Sequence, residues 1–229
     1  MVSWRQPLVL AAILLAGGHA GVCAQSSPRS IYLEARSVDS GIAGTATTSM
    51  KMWSTAQSMR ADVTHPLAGS FRLLVFKGNA YMLQTASKTG FKMPVPDEIK
   101  GSVGDLEKMV QALPGVSDRI SSLPPRIREE TLLGYPCDVH SASKQAGAAT
   151  TDTTIWMPKT LRPRIPLRVI ERKTTRQEGA TIRETRDVTV TKLQLNVPVT
   201  EALFSVPDGY QLQERGADSF RLPGLGGRQ

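Results

Sequence analysis

The sequence is poor in the residues from which metal sites and disulfide frameworks are built. It holds two cysteines and three histidines in 229 residues. Cys23 falls inside the N-terminal leader described below, which leaves Cys137 without a partner, so no disulfide is expected to hold the fold. His19 falls in the same leader, and His65 and His140 are far apart, so a structural zinc site of ordinary Cys/His spacing cannot be assembled. No metal and no cofactor is expected. Aromatic residues make up only 5% of the chain. There is no Gly-x-Ser-x-Gly elbow and no glycine-rich loop opening a helix as phosphate binding requires. No pair of carboxylates stands out. Asp138 and His140 fall on one strand face, but nothing marks a serine as their nucleophile. No catalytic residue is therefore expected, and the chain reads as non-enzymatic. Beyond the leader no run comes near the roughly 20 apolar residues of a membrane-spanning helix.

What is present begins at the N-terminus. Met1 to Gln6 carries one positive charge, Arg5, and Leu8 to Ala16 is unbroken apolar sequence. Small residues then lead to Val22-Cys23-Ala24 before Gln25. This is the order of a secretory signal peptide. Residues 1–24 are assigned to it, with cleavage after Ala24 and Ala20 as the second choice. Val22 is too large for the usual acylation signal before Cys23. The chain is thus expected in the periplasm or cell envelope, soluble after cleavage. About 205 residues remain, which suits one large β domain. The net charge of +8 falls by one with Arg5. Export argues against nucleic acid, leaving an anionic membrane surface or an acidic partner to match the basic balance.

From Ser30 the chain alternates apolar and polar residues, the period of a strand with one buried face. Ile31, Leu33 and Ala35 oppose Tyr32, Glu34 and Arg36. Strands are also predicted over 46–52, 59–63, 71–76, 80–85 and 90–93. Phe71 to Phe76 is nearly continuous apolar sequence, broken at Arg72, so both its faces should be covered. Lys77-Gly78-Asn79 supplies the positive-φ residues of a tight hairpin. The period then changes: Leu106, Met109, Val110 and Leu113 form one stripe of a helix, opened by Asp105 and stopped by Pro114-Gly115. Further strands are predicted over 127–133, 137–142, 153–157, 165–171 and 181–197. In the last, the apolar phase is even at Val188 and Val190 and odd at Leu193, Leu195 and Val197, which predicts a bulge near Thr191-Lys192. Thr200 is expected to cap one helical turn, Glu201 to Phe204. Residues 215–229, rich in glycine, are expected to be disordered. The fold class is mainly β (α+β): a curved antiparallel sheet, or open half-barrel, of about ten strands with one or two short helices on its concave face.

Several segments resemble a known family. Met50-Lys51-Met52-Trp53, followed by Met59-Arg60, is similar to the opening hairpin of the LolA-like envelope proteins and of a related periplasmic group labelled DUF4412. Gly78-Asn79-Ala80-Tyr81-Met82 with Lys92-Met93-Pro94 resembles the next hairpin. Leu133 to Val139 resembles a mid-chain turn, and Leu203 to Tyr210 a C-terminal signature. Together they span residues 30–212. The resemblance implies an unclosed half-barrel, lidded by helices, around an apolar cavity over residues 25–214. In carrier members that cavity holds the acyl chains of lipoproteins. Two carrier features are missing: the N-terminal lid helix, and an Arg-Pro pair where Ser54-Thr55-Ala56-Gln57 stands.

The residues themselves give the same site a chemistry. Methionine is flexible and polarizable, suited to variable acyl chains, although gap filling is its commoner use. The cavity candidates on strands are Met50, Met52, Met59, Leu73, Val75, Met82 and Met93. Those on the helix are Leu106, Met109, Val110 and Leu113. A basic surface is expected at Arg162, Arg164, Arg168 and Arg172, facing anionic lipid, an acidic partner or only water. Two functions follow. One is an envelope protein binding a lipid, acyl chain or lipoprotein, with peripheral membrane contact. The other is a regulatory or structural envelope protein holding a partner protein on its sheet face.

Overall fold

The structure, a computed structural model, describes residues 28–95, 123–162, 164–177 and 179–216. The leader, the helical stripe of Leu106, Met109, Val110 and Leu113, and the tail beyond Gly216 lie outside them. Twelve strands form one open, curved sheet. They are β1 (Ser30–Gly41), β2 (Gly44–Thr55), β3 (Met59–His65), β4 (Gly69–Phe76), β5 (Asn79–Gln84), β6 (Thr89–Pro94), β7 (Arg126–Leu132), β8 (Tyr135–Ala146), β9 (Ala149–Pro158), β10 (Arg168–Gln177), β11 (Ala180–Leu195) and β12 (Gln211–Glu214). Their order is β12-β6-β5-β4-β3-β2-β1-β11-β10-β9-β8-β7. All neighbours are antiparallel except β12 and β6. The sheet is thus two meanders, β1 to β6 and β7 to β11, joined where β1 meets β11.

Directly opposed residues share a face, so the register writes the apolar face out in rows. Leu33, Met52, Ala61, Leu73, Met82 and Phe91 follow one another across six strands. Leu33, Met52 and Ala61 are buried, whereas Leu73, Met82 and Phe91 are half-buried. Burying one such large side chain contributes about 1.5–3 kcal/mol. The bulge falls where the phase change placed it. Glu34 pairs with Lys192 and Ala35 with Val190, so Thr191 is the extra residue. Because of it, Leu193 and Val190 reach the same face.

The opposite face of the first meander is polar and ordered by charge. Lys192, Glu34, Lys51, Asp62 and Arg72 oppose one another in a row of alternating sign. Leu74 and Leu83 interrupt this face, yet both are fully buried. A single 3-10 turn, Glu201–Phe204, packs on β3 and β4, and β12 runs along β6. The C-terminal segment therefore returns over this half of the sheet. Phe71 and Val75 on one face of β4 and Leu74 on the other are all buried, so both faces are covered there, as the nearly continuous apolar sequence requires.

The fold departs from the sequence pattern at several points. The strands number twelve rather than about ten, and the 3-10 turn is the only helical element among the described residues. β12 had no alternation to betray it, since all four residues are exposed. β10 begins at Arg168, not Ile165; Ile165 and Leu161 lie in a non-strand connection, yet both side chains are fully buried. Lys77 and Gly78 carry the positive φ of their hairpin, while Asn79 already belongs to β5. Thr200 precedes the 3-10 turn but makes no side-chain cap bond.

Candidate functional site

Four chain segments converge at one end of the sheet. The β2–β3 turn is ordered by Thr55, whose Oγ1 accepts the backbone N–H groups of Gln57 and Ser58 at 3.3 and 3.1 Å. The β4–β5 turn bends through positive φ at Lys77 and Gly78, the form that matches strand twist in a two-residue hairpin. The chain leaving β6 is fastened to that turn, because Val95 N–H donates to the Gly78 carbonyl at 2.9 Å. The 3-10 turn closes the fourth side, with Leu203 N–H donating to Thr200 O at 3.1 Å and Phe204 buried.

Between them lies a cavity of about 590 Å³. Its apolar wall is Val75, Phe76, Val95, Val199 and Phe204, and its rim carries Gln57, Lys77 and Glu201. Lys77 Nζ and Glu201 Oε1 pair at 2.7 Å, both largely exposed. Such a surface pair contributes less than about 1 kcal/mol, so it does not lock the rim. The volume lies within the roughly 300–1,000 Å³ of small-molecule sites.

The wall is held from the outer face of the sheet. Arg60 Nη1 donates to Leu203 O at 3.3 Å, and its guanidinium lies 5.1 Å from the Trp53 ring centre. Asp62 fixes Arg60 from behind, with Arg60 Nη2 at 2.5 Å and Arg72 Nε at 2.6 Å. Burial alone would raise the Asp62 carboxyl, but the hydrogen bonds from Arg60 and Arg72 outweigh it and hold it below the usual carboxylate range.

Of the predicted cavity residues, Val75 lines this space. Met50, Met52, Met59 and Met93 are buried in the main apolar cluster. Leu73 and Met82 lie half-buried on the apolar face, directly opposed to each other. Phe204, Val95 and Val199 were not singled out. Phe204 stood within the C-terminal signature, which was a usable signal; the other two are isolated valines beside prolines and carried none.

The arginines of the predicted basic surface have different surroundings. Arg162 Nη1 donates to Leu161 O at 3.0 Å, and Arg164 is also engaged. Arg168 holds Asp187 through two nitrogens, at 3.1 and 2.5 Å, and lies over the Trp156 ring. Arg172 is exposed and pairs with no carboxylate among the described residues.

The remaining reactive groups are occupied. His140 Nδ1 meets Pro124 O at 2.7 Å. Asp138 Oδ1 lies 3.2 Å from Arg126 Nε; it is buried without a hydrogen bond, so that contact is ionic only. Asp138 and His140 are therefore turned to different partners. Cys137 is fully buried, its thiol directed to Tyr135 O at 3.3 Å, and burial pushes its pKa up. Among the described residues no three potential ligands gather for a metal, and no helix is long and apolar enough to cross a membrane.

No protein-family model matches this chain, and no curated protein does either. Solved structures align with it at low identity. The lipoprotein LppX of Mycobacterium tuberculosis is 15% identical, with 85% of this chain and 98% of that one covered at a TM-score of 0.41. A domain from Vibrio parahaemolyticus named for outer membrane lipoprotein sorting is 11% identical, over 76% and 88%, at 0.32. The MucA/MucB complex of Pseudomonas aeruginosa aligns at 10% identity, over 78% of this chain and 56% of that one, at 0.42. None of the three is alike enough to carry a function across.

Proposed function

We propose that this chain is a non-enzymatic envelope protein that holds the acyl chain of a lipid or lipoprotein in the cavity at the end of its sheet. The observation that carries this reading is the cavity itself: about 590 Å³, with an apolar wall and a polar rim. An acyl chain can bury its methylenes against Val75, Val95 and Phe204 while its polar end stays beside Lys77 and Gln57. Each methylene so buried contributes about 0.8 kcal/mol. The leader, with its order of charged, apolar and small residues, supports an envelope location.

The test uses protein recovered from the periplasm of an expression host. Native mass spectrometry is expected to show an added lipid mass. A fluorescent acyl probe, dansyl-undecanoate, is expected to saturate the delipidated protein. Val199→Trp fills the cavity from a half-buried, non-strand position and is expected to weaken the probe at least about tenfold, the loss of roughly two methylenes' burial. A bare polypeptide mass together with no saturable probe binding overturns the proposal, as does undiminished binding by the Val199→Trp protein.

A further inference from the structure

The β10–β11 hairpin runs past the end of β1 to its turn at Gln177–Ala180. Register places its charges on definite faces. Lys173 opposes Glu184 and pairs with it on one face. The other face carries Arg172, Arg176 opposite Thr181, and Arg183 opposite Thr174. All three arginines are exposed, and none pairs with a carboxylate among the described residues. Among the described residues the acids of this face are few. Asp187 is taken by Arg168, and Asp152 stands directly across from Arg172 without pairing to it. Along β10, Arg172 and Arg176 are about 13 Å apart at ~3.3 Å per residue.

A second feature lies at the same end. Ser40 opposes Thr185, so the β1–β2 turn brings Ile42 level with Arg183. Ile42 is 79% exposed and Leu67, on the β3–β4 turn at this same end, is 74% exposed, the two most exposed large apolar side chains in the described structure. Cations beside protruding apolar side chains fit a surface that is anionic outside and apolar just beneath. A soluble acidic protein would answer the arginines but leave Ile42 and Leu67 in water.

We infer that this end of the sheet docks on an anionic phospholipid bilayer, with Arg172, Arg176 and Arg183 on lipid phosphates and Ile42 and Leu67 entering the headgroup boundary. The inference does not depend on the cavity and stands or falls separately from it.

Co-sedimentation of periplasm-recovered protein with vesicles tests it. Binding is expected to vesicles containing phosphatidylglycerol, weak binding to pure phosphatidylcholine, and loss in high salt. A cation at the surface is worth about fivefold, so Arg172→Gln with Arg176→Gln and Arg183→Gln together should cost roughly a hundredfold. Ile42→Asp should cost roughly tenfold, while Val199→Trp leaves vesicle binding unchanged. All these positions are exposed or outside strands, and circular dichroism checks that each variant folds. Absence of binding to anionic vesicles, or a triple variant that binds as well as the parent, overturns the inference. So does Ile42→Asp binding undiminished while soluble polyglutamate captures the parent equally well, which would assign the arginines to an acidic protein instead.

Discussion

Asp62→Asn removes one negative charge from between two guanidinium groups while changing almost no volume. The Arg60 and Arg72 side chains are 17% and 18% exposed and that of Asp62 is 30% exposed, so water screens the cluster only in part. Hydrogen bonds to charged groups contribute about 1.5–3 kcal/mol each when shielded. Partial exposure reduces that figure, and asparagine keeps one acceptor, so a net loss of about 2 kcal/mol is expected at neutral pH. With a urea m-value of about 2 kcal/mol/M, the unfolding midpoint should fall by about 1 M. The pH dependence has a definite sign. The folded carboxyl sits below its ordinary value, the hydrogen bonds from Arg60 and Arg72 outweighing the effect of burial. Its stabilisation is therefore complete above the unfolded value of about 3.9 and is lost as pH falls through the folded one. Urea titrations followed by tryptophan fluorescence suit the measurement, since Trp53 lies against Arg60. The difference between parent and variant should shrink as pH drops below about 4. A midpoint that moves by less than about 0.2 M at pH 7, or a difference that persists unchanged at pH 3, would refute the role assigned to this cluster.

Two further outcomes follow from contacts elsewhere. A Cβ at Gly90 would stand 2.6 Å from the Met82 carbonyl oxygen and 2.8 Å from Leu83 Cδ2, so Gly90→Ala should destabilise by about 2 kcal/mol through overpacking. Gly41→Ala, whose nearest neighbour is Glu184 Cγ at 3.7 Å, should stay within about 0.5 kcal/mol; thermal melts showing equal losses would contradict this. Cys137 should resist iodoacetamide in the native protein and react fully in denaturant, because its thiol is buried and its pKa raised; mass spectrometry showing rapid native alkylation would refute that.

Strand positions were legible wherever one face is buried, because burial imposes period two on the sequence. Met50 and Met52 show it, and the phase change between Val190 and Leu193 located a bulge to within two residues. Legibility failed where burial stops. The distal parts of β8 and β10, with Lys144 and Arg176, extend beyond the apolar core and carry no alternation, so their strands were read short. β12 is exposed throughout and is held by backbone pairing and the Lys92–Glu214 ion pair rather than by apolar burial. The cavity was harder still. It is made by turns and irregular chain, where Thr55, Lys77, Val95 and Phe204 come together from distant positions and no period links them. Methionine content drew attention to the centre of the sheet, but several of those methionines are fully packed core residues.

The junction of β1 with β11 has a consequence for how the protein is made. A ribosome delivers β1 first, yet the strand that completes its second side is among the last to emerge. Until then β1 presents an open ladder of amide and carbonyl groups along its whole length, the situation in which nascent chains associate with one another. Pairings so remote in sequence also close slowly. Such a topology assembles cleanly when β1 stays shielded until residues beyond Ala180 have arrived.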